Sequence, residues 1–301
     1  MIIGKTLKET NEIIKNLSFK ERVDFLIKNK KALIEQKKEL TLTTAKLEFT
    51  ERRSKKSIEP LKTFKGKSIS KETFKETIQD LDVISVTIVG NSCWVLDSHD
   101  DVHQNGCWEK TLQESAHKVF HAKDHKRGSD DKIGDPTKVY TAQVTTKELG
   151  VSSAIQSVEC LLMDSDVYKA LNKNIFTQYG LGMIKEHSVG MRYVRLALAI
   201  NDSEKEEFKT WSENIDKIVN KEDALELGYF WLVQECKLIE ISAVTRGSNS
   251  LTPTLEEAKE TEEEHEEKSE PLNNTRALIN NVVKTEAAES TSNKFTFLTN
   301  N

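Results

Sequence analysis

The feature that most constrains this chain is a series of β-branched, alternating apolar stretches that begins at Val83 and stops near residue 250. Val83-Ile-Ser-Val-Thr-Ile-Val89 alternates. It is followed by Gly90-Asn91, a turn signal, and by Ser92–Leu96, which together read as a hairpin or two adjacent strands. Val139–Val144, Ser188–Ile200, Tyr229–Val233 and Lys237–Val244 are further strand candidates, whereas Val158–Leu171 and Phe208–Leu227 have the texture of helices. Strands with helices inserted between them predict an α+β, mainly β domain or a β-barrel over residues 83–253.

The flanks differ in character. Residues 1–68 hold eighteen Lys or Arg against nine acidic residues, and residues 254–301 are acidic. Over residues 9–58, Ile13, Ile14, Leu17, Val23, Leu26, Ile27, Leu33, Ile34, Leu40 and Leu47 recur at helical intervals, which predicts a basic helical arm. The plain reading is a pair of amphipathic helices that pack on something; the sharper one is an arm for a protein partner or self-association. It lacks the interleaved aromatic residues of a nucleic-acid stacking platform, so nucleic acid is the weaker reading. Residues 69–82 read as a polar linker, with a short helix at 71–81. The stretch Glu256–Glu270 and the Asn/Thr/Ser-rich remainder read as a disordered acidic tail over 254–301, with a terminal Phe295–Leu298 patch.

No stretch approaches the roughly 20 consecutive apolar residues of a membrane-spanning helix, and MIIGKTLKETNEII carries charges where a signal peptide would carry its apolar run. No membrane partner and a cytoplasmic location are the expectations. The cysteines Cys93, Cys107, Cys160 and Cys236 are scattered, without a C-x-x-C pair, and read as reduced thiols rather than as a zinc site or disulfides, with a Cys–His nucleophile pair as the minor alternative.

Three clusters could carry chemistry. Asp97-Ser-His-Asp-Asp-Val-His103 could ligate a metal or form a hydrogen-bonded polar loop. His117, His121 and His125 lie four residues apart but lack the glutamate of H-E-x-x-H. Lys123-Asp-His-Lys-Arg-Gly128 looks like the end of an element, which leaves His117 and His121 as helix-surface residues and His125 as the one placed for function. Glu186-His-Ser-Val-Gly-Met191 puts Ser188 just ahead of a strand, either as a plain turn or as a nucleophile awaiting a histidine. A metal-dependent hydrolase built on His99, His103, His117 and His121 is the alternative chemistry; otherwise neither metal nor cofactor is expected.

The order of these motifs resembles that of the prohead proteases of tailed phages. The matching segments are Asp97-Ser-His-Asp-Asp-Val-His-Gln-Asn-Gly-Cys-Trp108, Asp124-His125, Ser188-Val-Gly190 and Glu240-Ile-Ser-Ala-Val244, over residues 83–253. The resemblance implies a fold similar to the herpesvirus capsid-maturation protease, a β-barrel surrounded by helices. It implies a serine endopeptidase with Ser188 as nucleophile and His125 as base. In the herpesvirus enzymes a second histidine is the third member, seven residues before the glycine of a Gly-Arg-Arg loop. Glu240 stands seven residues before Gly247, so the resemblance puts Glu240 in that role and Gly247-Ser248 at the oxyanion loop, without the two arginines. Asp124 and His187 are neighbouring candidates for Glu240's role. The implied substrates are the major capsid protein and scaffold, with self-cleavage, inside the procapsid in the host cytoplasm. A non-catalytic procapsid scaffold component of the same fold is the other implied function.

Overall fold

The computed structural model describes Gly4, residues 6–39 and residues 81–255. Two helices come first, α1 (Leu7–Lys15) and α2 (Phe19–Glu39). Eight strands follow: β1 (Val83–Ser92), β2 (Asp101–His103), β3 (Phe120–Lys123), β4 (Lys132–Thr145), β5 (Ser157–Tyr168), β6 (Glu186–Ile200), β7 (Tyr229–Val244) and β8 (Thr254–Leu255). Four short helices lie between them: α3 (Glu109–Ser115), α4 (Lys173–Gly180), α5 (Phe208–Asn214) and α6 (Lys221–Leu227). The fold is α+β, mainly β, as the patterning predicts.

The strands make one mixed sheet in the order β2-β7-β3-β4-β5-β1-β8, with β6 on the other edge of β7. The sheet is open, not the closed barrel expected: β2 and β8 end the path and do not pair with each other. It curls strongly nonetheless. Gly90 of β1 lies against the Ile241 side chain of β7, and a Cβ there would sit 2.7 Å from Ile241 Cδ1. This close approach explains Gly90-Asn91, which is not a hairpin turn. β1 runs straight through it, and its register with β5 slips between Val89 and Asn91 as a bulge.

Val158–Leu171 is strand β5 over most of its length, not a helix. It lies between β4 and β1, with Val158, Cys160 and Leu162 in one apolar cluster and Leu161, Met163 and Val167 in the other. A strand buried on both faces shows a continuous apolar run, which periodicity alone does not separate from a helix. Tyr229–Val233 and Lys237–Val244 are one strand. Phe208–Leu227 breaks into α5, a tight turn and α6, which ends at left-handed Gly228 (φ 78°).

The N-terminal helices are not a detached arm. They belong to the same compact unit as the sheet, and Ile14, Val23, Phe25, Leu26 and Leu33 enter its main core. The apolar stripe that suggested a docking surface is thus spent on the chain's own sheet. Some of the basic residues are spent there too. Arg22 donates to the Leu227 carbonyl at the end of α6, Lys30 pairs with Glu207 at 2.8 Å, and Lys37 is buried against Asp101 at 2.6 Å. The residues read as a tail begin with β8, which pairs with β1. The remaining helical positions to residue 58, the 71–81 helix, the linker up to residue 80 and the tail from residue 256 lie outside the described residues.

A buried polar chain braces the sheet. Thr252 O can only accept, so His187 Nδ1 carries a proton (3.0 Å) and Nε2 accepts from Tyr179 (2.9 Å). Tyr179 then accepts from His121 Nε2 (3.0 Å), and His121 Nδ1 accepts from Ser165 (2.9 Å). Both rings are neutral, and burial lowers His187 to about 4 and His121 to about 3. The unfolded chain, with ordinary histidines near 6.5, therefore binds more protons than the folded one below that pH. The contribution of these two rings to stability is complete above pH 6.5. It falls as the pH drops toward 4, by up to about 1.4 kcal/mol per unit for each ring. Urea unfolding at pH 7.5 and pH 5 should show a clear loss of midpoint at the lower value.

Candidate active site

β7 and β6 carry most of the site, and strand alternation sorts their side chains. Glu240 and Ser242 lie two residues apart on one face of β7. Ser188 of β6 is the antiparallel Cα partner of Ser242, so it shares that face, with Cβ atoms opposite each other about 5 Å apart. His187 and Ile241 point to the other face, where the Tyr179 chain lies.

β3 delivers the histidine. It runs parallel to β7, from Phe120 opposite Glu240 to Lys123 opposite Ala243, and Asp124 N–H continues the pairing to Ala243 O. The chain then turns tightly through Asp124 (φ 51°) and His125 (φ 56°), two left-handed residues in succession. A non-glycine residue in that region costs on the order of 1–3 kcal/mol, and such strain concentrates at functional sites. The turn brings His125 back over β7. Its Nδ1 lies 2.7 Å from Glu240 Oε1, and its backbone N–H donates to Ser242 Oγ at 3.2 Å.

Glu240 is fully buried, and its other oxygen, Oε2, accepts from Ser242 Oγ at 2.6 Å. A buried carboxylate needs such partners to stay ionised. Because a carboxylate only accepts, His125 carries its proton on Nδ1, leaving the Nε2 lone pair free to act as a base. The imidazole is 19% exposed. The structure thus brings His125 and Glu240 into contact and places Ser188 on their face, one residue across from Ser242. It does not join Ser188 to His125: the Ser188 hydroxyl has no hydrogen-bond partner among the described residues, and the residue is 8% exposed.

The competing orienters do not reach His125 in this way. Asp124 is exposed, and His187 is engaged by Thr252 and Tyr179 on the opposite face.

The loop after β7 folds back over the start of β6. Thr252 Oγ1 donates to His187 O at 2.7 Å, and a Cβ on Gly247 would sit 2.5 Å from that same carbonyl, so only glycine fits. Gly247 therefore lies next to the Ser188 segment. However, its N–H already donates to Glu186 Oε2 at 2.7 Å, which removes Gly247 as a ready oxyanion donor. The N–H of Ser248 is left without a partner among the described residues; its carbonyl accepts from Ser98.

The four histidines of the metal alternative are not brought together. His99 lies 4.0 Å from Asp97, His103 stacks on Trp108, and His121, far from being a helix-surface residue, is fully buried in β3 between Ser165 and Tyr179. Among the described residues no group of three or more His, Cys, Asp or Glu side chains is placed to hold a metal ion. Asp97 Oδ1 instead accepts the N–H groups of His99 and Asp101, as a loop cap does. All four cysteines are buried. Contact with Cys107 together with burial pushes the Cys93 thiol up, and burial pushes up the other three, which opposes thiolate chemistry.

Ser242 and Glu186 escaped the sequence reading as residues with roles. Their signal was the two-residue spacing from Glu240 and from Ser188, which puts each on the same strand face as its neighbour. A search against family models, curated proteins and solved structures found no match to this chain.

Proposed function

We propose that this chain is a serine endopeptidase of the prohead-protease kind, acting on capsid and scaffold segments during virus head assembly. The observation that carries the reading is the 2.7 Å bond from His125 Nδ1 to a buried Glu240, on the strand face that also presents Ser188. Ser188 attacks the scissile carbonyl, and His125 Nε2 takes its proton and later gives it to the leaving amine. Glu240 holds the ring and balances the imidazolium. Ser248 N–H is the donor left for the oxyanion; Gly247 joins it once Glu186 lets go. In apo sites such hydrogen bonds are often loose and tighten around substrate. The motif order and the strong curl of the sheet support kinship with the herpesvirus capsid protease.

Two observations favour a second reading, a non-catalytic procapsid component of the same fold. Ser188 is unpartnered and nearly buried, and the Gly247 N–H is taken. Co-expression with the major capsid protein of the same genome separates the two. The protease reading expects truncated capsid protein with wild-type chain and uncut protein with Ser188→Ala. Uncut protein in both, with normal assembly, supports the scaffold reading.

No described helix is long and apolar enough to cross a membrane.

A further inference from the structure

We infer that Ser242 is a positioning residue of this site, one hydroxyl that sets both halves of the His125–Glu240 pair. The inference rests on the serine-protease reading above. Ser242 is fully buried on β7, two residues after Glu240 and directly across from Ser188. Its hydroxyl proton goes to Glu240 Oε2 at 2.6 Å, and its oxygen accepts the His125 backbone N–H at 3.2 Å. A single side chain therefore fixes the carboxylate by a charge-assisted bond and the imidazole through its backbone.

Each bond has a consequence for chemistry. With Oε2 held, Oε1 is the oxygen presented to His125 Nδ1, so the carboxylate plane is fixed before substrate arrives. The second bond grips the left-handed turn at Asp124 and His125, where strain would otherwise favour a different path. Without the hydroxyl, Glu240 loses one of its two donors and the ring loses its anchor. A buried serine that merely satisfied a backbone N–H would contribute to folding alone and leave the chemistry of each folded molecule untouched.

The test uses the purified full chain and diisopropyl fluorophosphate, a small probe that phosphorylates an activated serine, with fluoride as the leaving group, and needs no known peptide substrate. Rates are expressed per folded molecule, from the native fraction in a thermal melt. Ser242→Ala should lower the labelling rate of Ser188 by about 10- to 100-fold, the size of one lost hydrogen bond to a charged group. Ser242→Thr keeps the hydroxyl and adds one methyl group; it should cost stability, but per folded molecule it should return the rate to within about threefold of wild type. Should the alanine variant fail to fold, Ser242→Cys, close in shape but a weak donor, should show the same loss. In a Ser188→Ala background, the low-field proton NMR signal of His125 Nδ1–H should be present, and it should be lost when Ser242 is also alanine. Equal labelling of wild type and Ser242→Ala, or a persisting Nδ1–H signal, overturns the role of Ser242 and leaves the protease reading standing. Failure of the wild type itself to label at Ser188 removes both.

Discussion

Replacing Glu240 by alanine should reduce the rate at which diisopropyl fluorophosphate labels Ser188 by about three to four orders of magnitude, the scale seen when the orienting acid of such a triad is lost. Glu240 is fully buried and holds His125 Nδ1 at 2.7 Å. Without it the imidazole has no partner to fix its tautomer, and the imidazolium formed in the reaction has no counter-charge. Asp124→Ala provides the contrast. Asp124 is exposed and makes no hydrogen bond to His125 through its side chain, so its loss should change the rate only a few-fold. Equal losses in the two variants would mean that Glu240 is not the orienter.

The second large effect lies on α2, outside the His125–Glu240 pair. Lys37 of α2 is 3% exposed and donates to Asp101, itself fully buried, at 2.6 Å, and to the His99 carbonyl at 3.1 Å. Its ammonium also faces the rings of Tyr193 and Trp231, and Tyr193 donates to the second Asp101 oxygen. Burial, and then the charge of nearby Asp101, push Asp97 well above the usual carboxylate range. Removing Lys37 leaves Asp101 buried and uncompensated beside that group. Lys37→Met should therefore cost about 3–5 kcal/mol. In a domain of this size that lowers the melting temperature by on the order of 10 °C. Lys37→Met with Asp101→Asn removes both charges and should recover much of the loss, because the cost comes from the orphaned charge rather than from the missing bond. A melt unchanged in Lys37→Met would mean that α2 is not held to the sheet in this way.

Much of the sheet was legible because apolar and polar residues alternate along its strands, as Val189, Met191 and Tyr193 do with Gly190 and Arg192 between them in β6. The failures have a common physical origin. β5 is buried on both sides, so the alternation that marks a strand disappears and Val158–Leu171 reads as a helix. Gly90 mimics a hairpin turn because the close approach that requires glycine comes from Ile241, some 150 residues away in the chain. The N-terminal helices looked like a free arm because amphipathicity reveals an apolar stripe but not the surface that covers it. At the site, His125 and Glu240 were reachable through the resemblance. Their contact depends on the parallel register of β3 on β7, which no local pattern encodes. Glu186 was invisible as the partner of Gly247 for the same reason: sixty-one residues separate them in sequence.

The most direct measurement of the central claim is the reaction of the purified full chain with a serine-directed fluorophosphonate, followed by peptide mass mapping of the modified residue. The account predicts a single adduct on Ser188, formed at a rate that falls several orders of magnitude in His125→Ala. No adduct, or one on another serine that forms equally fast in His125→Ala, would contradict it.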